Sequence, residues 1–472
     1  MNILLIRPRP SPETIGLQHV MICEPLELEY LAASITPLSD LTGQRHQIDI
    51  LDMILEKRPL HDLLTEFQPD LVAMTGYITH IRIIKTMAET IKAWSTTCLT
   101  VVGGVHAEVV PEDFQHPALD AIICANGLTT FQELIRCAAT DQAGQSGRSD
   151  QSFQNLPGVW HPDKPRPLKE TSFAHPFPDR SKVARYRDRY YYLFHNPCAL
   201  LKTSFGCPFQ CNFCFCREIT DHQYFERPLA EVMEELEQIP EQEIYIVDDN
   251  FLVHAERVLA FCRELDQRRL DKRFLIYGRA DFIAAHPEII GRFAANGLRA
   301  VIVGIESCWD QDLDKFNKKS SLAINEQAVA VLAEHGVDCY ATMILDMDWS
   351  SANFRSLGQW LKKMDLSFVN LQPFTPLKGT AAGQGYEEAL RIPRSEYEKW
   401  DLAHLVLQPT KLSVAGYYWN IIKLYHTVTF RPKSIFNLVR RFGLRENLRL
   451  FFGSSRVTLQ YFSKVIRNLG KG

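Results

Sequence analysis

The chain has 472 residues, 46% hydrophobic and 23% charged, a balance that builds packed cores and excludes a disordered or collagen-like polymer. That length exceeds one ordinary domain and calls for two or three. A formal net charge of -4 argues against a global nucleic-acid or membrane affinity, and no window approaches the ~18 consecutive apolar residues of a membrane span.

The N-terminus, Met1-Asn2-Ile3-Leu4-Leu5-Ile6, has no charged leader and reads as a first buried strand rather than a signal peptide. Residues 1–140 then alternate short apolar runs with amphipathic segments. Strands are expected over 3–6, 48–51, 71–75, 99–102 and 121–124, with helices such as 26–38 and 81–94 between them. Five strands joined by helices imply a doubly wound, Rossmann-like parallel sheet, which binds ligands at the carboxyl ends of its strands. Thr75-Gly76-Tyr77 follows the third strand and Gly103-Gly104-Val105-His106 the fourth, where glycine lets a ligand approach the backbone closely.

Residues 141–198 read as a linker. The stretch 141–152 is rich in Gly, Ser, Gln and Asp and predicts a mobile loop, while Pro157, Pro162, Pro165, Pro167, Pro176 and Pro178 impose extended backbone. Residues 190–194 read either as a strand or as an aromatic patch capping the next domain.

Residues 199–385 repeat strand then helix six times. The strands fall at 199–204, 243–247, 274–277, 300–305, 338–344 and 368–371, and the helices begin near Pro228, Ala255, Pro287, Ser321 and Ser351. Six units are fewer than the eight of a closed barrel and predict a partial one, with functional groups at the strand C-terminal ends.

After the first of these strands stands Cys207-x3-Cys211-x2-Cys214. Zinc normally takes four Cys or His ligands, whereas three close cysteines suit a 4Fe-4S cluster with one iron left open. Cys216 lies just outside the triplet and reads as a neighbouring thiol, since a fourth thiolate would close that iron. Twelve cysteines spread along the chain favour a reducing, cytoplasmic compartment and metal use over disulfides.

This spacing, with aromatic Phe213 before the last cysteine, resembles the cluster motif of the radical SAM superfamily. That likeness implies S-adenosylmethionine (SAM) held on the open iron and cleaved to a 5′-deoxyadenosyl radical. With the preceding sheet, the Gly103-Gly104-x-His106 segment and the Phe131-Gln132-Glu133 helix, the chain resembles the cobalamin-binding radical SAM proteins, a group of carbon methyltransferases and the anaerobic bacteriochlorophyll cyclase. Two features depart from that pattern. Ala125-Asn126-Gly127-Leu128 replaces a Gly-Glu-Gly-Glu-like turn, and Ser11-Pro12-Glu13-Thr14-Ile15-Gly16 stands where other cobalamin proteins carry an axial histidine motif.

The resemblance implies SAM contacts from Phe213, Asp248, Asp249, Arg279, Glu306 and Ser307, with Glu306 facing ribose hydroxyls. Three of these have a plainer alternative: a helix cap for Asp248 and Asp249, an ion pair with Asp281 for Arg279. It implies cobalamin contacts from Thr75, Gly76, Tyr77, Gly103, Gly104 and His106, with His106 more often a hydrogen-bonding group than an axial ligand. Thr375-Pro376-Leu377-Lys378-Gly379-Thr380 fits a family turn after the sixth strand, while Ile344-Leu345-Asp346-Met347-Asp348 departs from the turn usual after the fifth. Cys308 reads as a buried core thiol.

Residues 386–472 are expected to form a helical extension. Residues 431–472 carry ten Lys or Arg and one acid, Glu446, interleaved with apolar residues at helical spacing. Such a segment either lies on an anionic membrane surface or packs on the barrel with a solvated basic face; no nucleic-acid recognition motif accompanies it. The resemblance as a whole implies methylation of an unactivated carbon, or of phosphinate phosphorus, on a small and possibly lipophilic molecule, with electrons from a flavodoxin or ferredoxin. A radical SAM cyclase and a non-catalytic iron-sulfur electron-transfer module are the alternatives.

Overall fold

Alternating short parallel strands and amphipathic helices produce two α/β units. The computed structural model describes residues 1–39, 43–142, 155–169, 175–429 and 431–470. The loop expected over 141–152 lies, beyond Gln142, outside the described residues.

One unit comprises Met1–Thr14, Glu24–Arg189 and Glu218–Asp221. Its sheet is built from β1 (Asn2–Arg7), β2 (Gln47–Asp52), β3 (Leu71–Thr75), β4 (Leu99–Gly103) and β5 (Ala121–Ile122). All are parallel in the order β2-β1-β3-β4-β5, so the strand order reverses direction between β1 and β3. Crevices at such a reversal take ligands at the strand C-terminal ends. The helix Ile81–Trp94 buries Ile81, Ile84, Ala88 and Ile91, one face at helical spacing. β5 stops two residues short of the expected strand because the chain changes partner. Cys124 N donates to Gly158 O at 2.8 Å, and Ile123 bridges Val159.

The other unit comprises Ile15–Cys23, Tyr190–Arg217 and His222–Gly472. Residues 190–194 form the short strand Tyr191–Tyr192, antiparallel to Met21–Ile22. The main sheet runs consecutively through β6 (Cys198–Leu201), β7 (Glu243–Ile246), β8 (Arg273–Gly278), β9 (Leu298–Glu306), β10 (Asp338–Leu345) and β11 (Phe368–Pro373), every pair parallel. A six-stranded order without a β11-to-β6 pairing is a partial barrel.

Alternation along these strands separates two environments. Ile244, Ile246, Phe274 and Ile276 bury against the helices, where Phe261, Phe274 and Phe293 meet with ring centroids 5.4 to 5.7 Å apart. Each such ring contributes about 1.5–3 kcal/mol by leaving water. Alternate positions carry Tyr245, Tyr277 and Tyr340 on the other face, with Tyr245 5.9 Å from Tyr277 and 5.0 Å from Tyr192.

Two expectations are corrected by the structure, and two short helices are added to them. The first barrel strand ends at Leu201, not Ser204, because Ser204–Gly206 leaves the sheet to pair antiparallel with Tyr224–Glu226. Short helices Ala280–Ala285 and Asp310–Lys315 interrupt loops that carry little periodicity to reveal them. The extension is not helical throughout. Between Tyr386 and Ser413 it holds only single 3-10 turns, with Pro393 and Pro409 removing donors and Leu390 bridging Leu407. Helices follow at Val414–Thr429 and Pro432–Arg467, the latter broken at Gly443 with φ 76° and ψ 166°.

Candidate functional site

The cysteine loop departs from the C-terminal end of β6, and a buried carboxylate at the end of β7 fixes its departure. Thr203 N and Oγ1 donate to Asp248 at 2.6 and 2.5 Å, and Ser204 Oγ donates to it at 2.8 Å. Burial pushes the Asp248 carboxyl up, against the pull of Lys202. Asp248, expected among the SAM contacts, holds the first residues after β6 inside the barrel. Its neighbour Asp249 accepts from Gly206 N at 3.0 Å, next to the cysteines.

The loop is tied to the segment after β9. Asn212 Nδ2 donates to Lys315 O at 2.8 Å, and Asn317 Nδ2 to Gln210 O at 2.6 Å. Ala382 N donates to Asn212 O at 2.8 Å, which joins the loop to the chain after β11. Phe213 meets Phe316 edge-on at 5.5 Å.

Arg279, at the end of β8, makes the ion pair with Asp281 that the sequence offers as its plainer alternative. Its Nη1 donates to Cys211 Sγ at 3.7 Å, its Nη2 to Lys318 O at 2.8 Å, and Nε and Nη2 grip Asp281 at 3.1 and 2.8 Å. The guanidinium lies over the Phe209 ring at 3.9 Å. Arg279 therefore braces the cysteine loop from behind, since its donors are directed to the loop, Asp281 and Lys318.

Glu306 ends β9 where the register to β10 shifts, and its φ of 63° turns the residue out of regular strand geometry. Its Oε1 accepts from Lys318 Nζ at 3.0 Å in a buried pair. Gly304 makes room for that pair. A Cβ there would lie 2.4 Å from Glu306 Oε1 and 2.5 Å from Lys318 Nζ. Ser307 does not join the site: its hydroxyl donates to Asp312 Oδ2 at 2.7 Å and accepts from Trp309 N at 3.1 Å, closing a local turn.

Lys318, Phe209 and Asp281 thus belong to the site, and Lys318 and Phe209 were not legible in the sequence. Lys318 follows a short helix in a charged run, Asn317-Lys318-Lys319, that reads as solvated surface, yet it is buried. Burial pushes the Cys207 thiol up to about 11 and also raises Cys211, on which Lys318 and Arg279 pull the other way. Hydrogen bonds from Cys216 hold Cys214 below its usual range. Cys308 is buried in the core and pushed up to about 12, an inert thiol.

Among the described residues, no group of three or more His, Cys, Asp or Glu side chains converges as the ligands of one metal ion do. Thiolates bound to separate irons of a cubane need not converge so, and three free thiols backed by two cations are a fitting donor set for an anionic cluster. A cavity of about 550 Å³ lies over the turn after β11, lined by Lys378, Thr380, Gln384 and Arg394.

In the first unit, Thr75-Gly76-Tyr77 and Gly103-Gly104 stand at the ends of the adjacent strands β3 and β4. Gly104 has φ 95°, and a Cβ there would lie 2.5 Å from Thr75 Oγ1. Tyr77 is 61% exposed beside this cradle. His106 is buried, with Nε2 2.9 Å from Asp113 Oδ2 and its ring edge-on to Phe114. That places its ring nitrogen against a carboxylate within its own helix and turn.

A family model for the B12 binding domain matches residues 16–135, and one for the radical SAM superfamily matches residues 201–349. The chain belongs to the cobalamin-binding radical SAM enzymes. Hopanoid C-3 methylase of Methylococcus capsulatus is 26% identical over 432 residues, covering 90% of this chain and 79% of the relative. The anaerobic magnesium-protoporphyrin IX monomethyl ester cyclase of Cereibacter sphaeroides is 23% identical over 392 residues, covering 78% of this chain and 61% of the relative. The radical SAM methyltransferase TsrM from Kitasatospora setae, solved with cobalamin and a 4Fe-4S cluster bound, superposes with a TM-score of 0.66 at 14% identity. That superposition covers 98% of this chain and 99% of the other, and at such identity it speaks for the fold. For this radical SAM enzyme the two domains imply a 4Fe-4S cluster, SAM and cobalamin.

Proposed function

We propose that the protein methylates an unactivated carbon of a small lipophilic molecule, with Cys207, Cys211 and Cys214 holding the cluster. The observation that carries this reading is the near full-length similarity to a methylase, together with a cysteine loop set among Arg279, Lys318 and Glu306. When bound, the cluster supplies the electron for SAM cleavage and cobalamin the methyl group.

The protein's own part is to bind, orient and exclude water. Asp249 and Glu306 offer carboxylates at the ends of β7 and β9, on either side of β8, the first to a SAM ammonium and the second to ribose hydroxyls. Lys318 orients Glu306 by a hydrogen bond from its ammonium. Tyr245 and Tyr277 wall the barrel interior with apolar ring faces, a lining suited to a lipophilic substrate. Thr75, Gly76, Tyr77, Gly103 and Gly104 form the corrin-facing strand ends, with His106 as a supporting hydrogen-bonding group. A flavodoxin- or ferredoxin-type donor supplies electrons in a reducing cytoplasm, in keeping with twelve cysteines spread along the chain. Among the described residues no helix is long and apolar enough to cross a membrane.

The test is anaerobic turnover of reconstituted, corrinoid-loaded protein with methyl-labelled SAM, a reductant and extracted lipids. The expected result is 5′-deoxyadenosine together with label in a lipid product. SAM cleavage with an unlabelled, newly cyclised product would favour the cyclase to which the chain is also similar. A Cys211→Ala variant that kept both cluster and cleavage would sink the cysteine assignment.

A further inference from the structure

We propose that the outward face of the C-terminal helix docks on an anionic lipid bilayer. Beyond the break at Gly443, Leu444, Leu448, Phe452, Leu459, Phe462 and Ile466 are all solvent-exposed, Phe452 at 63% and Leu459 at 66%. At 100° per residue they fall within an arc of roughly 80°, a single stripe roughly 33 Å long.

This stripe is not a core face in search of a core. The helix already packs by its other side: Gly453 sits against His19 O with no room for a Cβ, and Tyr461 is buried 5.9 Å from Tyr418. Arg445, Arg456 and Arg467 are exposed and line one border of the stripe. The single acid of residues 431–472, Glu446, is paired with Arg449 at 2.5 Å.

A long straight apolar stripe with one cationic border matches a planar interface in which rings enter the acyl boundary and guanidinium groups reach lipid phosphates. A second copy of the chain fits less well, because no unpaired acid on this segment would meet the arginines. The inference is independent of the methyl-transfer reading, since it concerns binding alone. Docking there would give the enzyme access to a lipophilic substrate held in the membrane.

The experiment is flotation of the full-length protein with vesicles of phosphatidylcholine alone, or of phosphatidylcholine and phosphatidylglycerol in equal parts. The protein is expected to float with the anionic vesicles and to be released by high salt. The variant Phe452→Ser/Leu459→Ser/Phe462→Ser, which alters only exposed side chains, should keep its circular dichroism and lose binding about tenfold or more. The variant Arg445→Gln/Arg456→Gln should lose anionic-vesicle binding about fivefold per charge. Equal flotation of the serine variant and the unaltered protein, no binding to either vesicle, or a dimer that the serine variant dissociates would each overturn the proposal.

Discussion

Arg279 Nη1 donates a hydrogen bond to Cys211 Sγ across 3.7 Å, from a guanidinium already fixed by Asp281 and by the face of Phe209. A cation bound to a cluster thiolate favours the more negative, reduced cluster, because hydrogen bonds to the sulfurs and local charge set the potential.

Arg279→Gln is therefore expected to lower the cluster's reduction potential, by on the order of tens of millivolts. Arg279→Lys should fall between, since an ammonium keeps the charge but loses the planar fork and the stacking. Potentiometric titration of reconstituted protein followed by electron paramagnetic resonance reads this directly. A potential unchanged in both variants would reduce Arg279 to a structural brace.

Arg227 and Glu235 form a second buried pair at 2.7 Å, and Arg227 also donates to Lys202 O at 2.6 Å, just before the cysteine loop. Removing one partner leaves the other's buried charge without this bond. Arg227→Met should cost about 3–5 kcal/mol, lowering the thermal midpoint by about 10 °C, while Arg227→Met/Glu235→Leu should regain most of it. Thermal unfolding of both variants checks the pair, and equal losses would show that the arginine's backbone contact matters more than the charge.

The periodic parts of this fold are legible in the sequence because burial imposes them. Ile81, Ile84, Ala88 and Ile91 mark their helix, and runs such as Leu71 to Thr75 mark strands covered on both faces. The cysteine triplet and the glycines at Gly103 and Gly104 are legible because a cluster and a close backbone approach restrict residue type. Side-chain direction is not. Asp248 and Asp249 are adjacent carboxylates at one strand end, yet Thr203 and Ser204 engage the first and Gly206 the second. Likewise Ser307 turns into its own loop while Glu306, one residue earlier, takes a positive φ. These choices depend on partners distant in sequence.

His80 makes a pH prediction. Burial, and then the charge of Arg7, depress its imidazole to about 4, and Nδ1 accepts from Tyr77 N at 3.3 Å beside the expected corrin contacts. The unfolded chain takes up a proton below about pH 6.5 while the folded chain does not, so stability is present above that pH and is lost as pH falls toward 4. Relative to His80→Gln, the natural protein should lose about 2–3 kcal/mol between pH 7 and pH 4 in denaturant unfolding of this unit. Parallel pH profiles would show that the imidazole is solvated in solution.

Gly104 supplies the most direct test of the strand-end assignment. Its φ of 95° with ψ near 180° is a conformation that essentially only glycine adopts, and an added Cβ would stand 2.5 Å from Thr75 Oγ1. Gly104→Ala must therefore shift the ends of β3 and β4 relative to each other, at about 1–3 kcal/mol for the backbone strain plus the cost of the clash. Adding Thr75→Ala removes the clashing oxygen but not the strain, so the double variant should recover part of the stability lost by the single one. Corrinoid uptake, followed in the anaerobic visible spectrum, should weaken in Gly104→Ala and return in part with Thr75→Ala. Undiminished uptake in a destabilised Gly104→Ala variant would move the corrin away from these two strand ends.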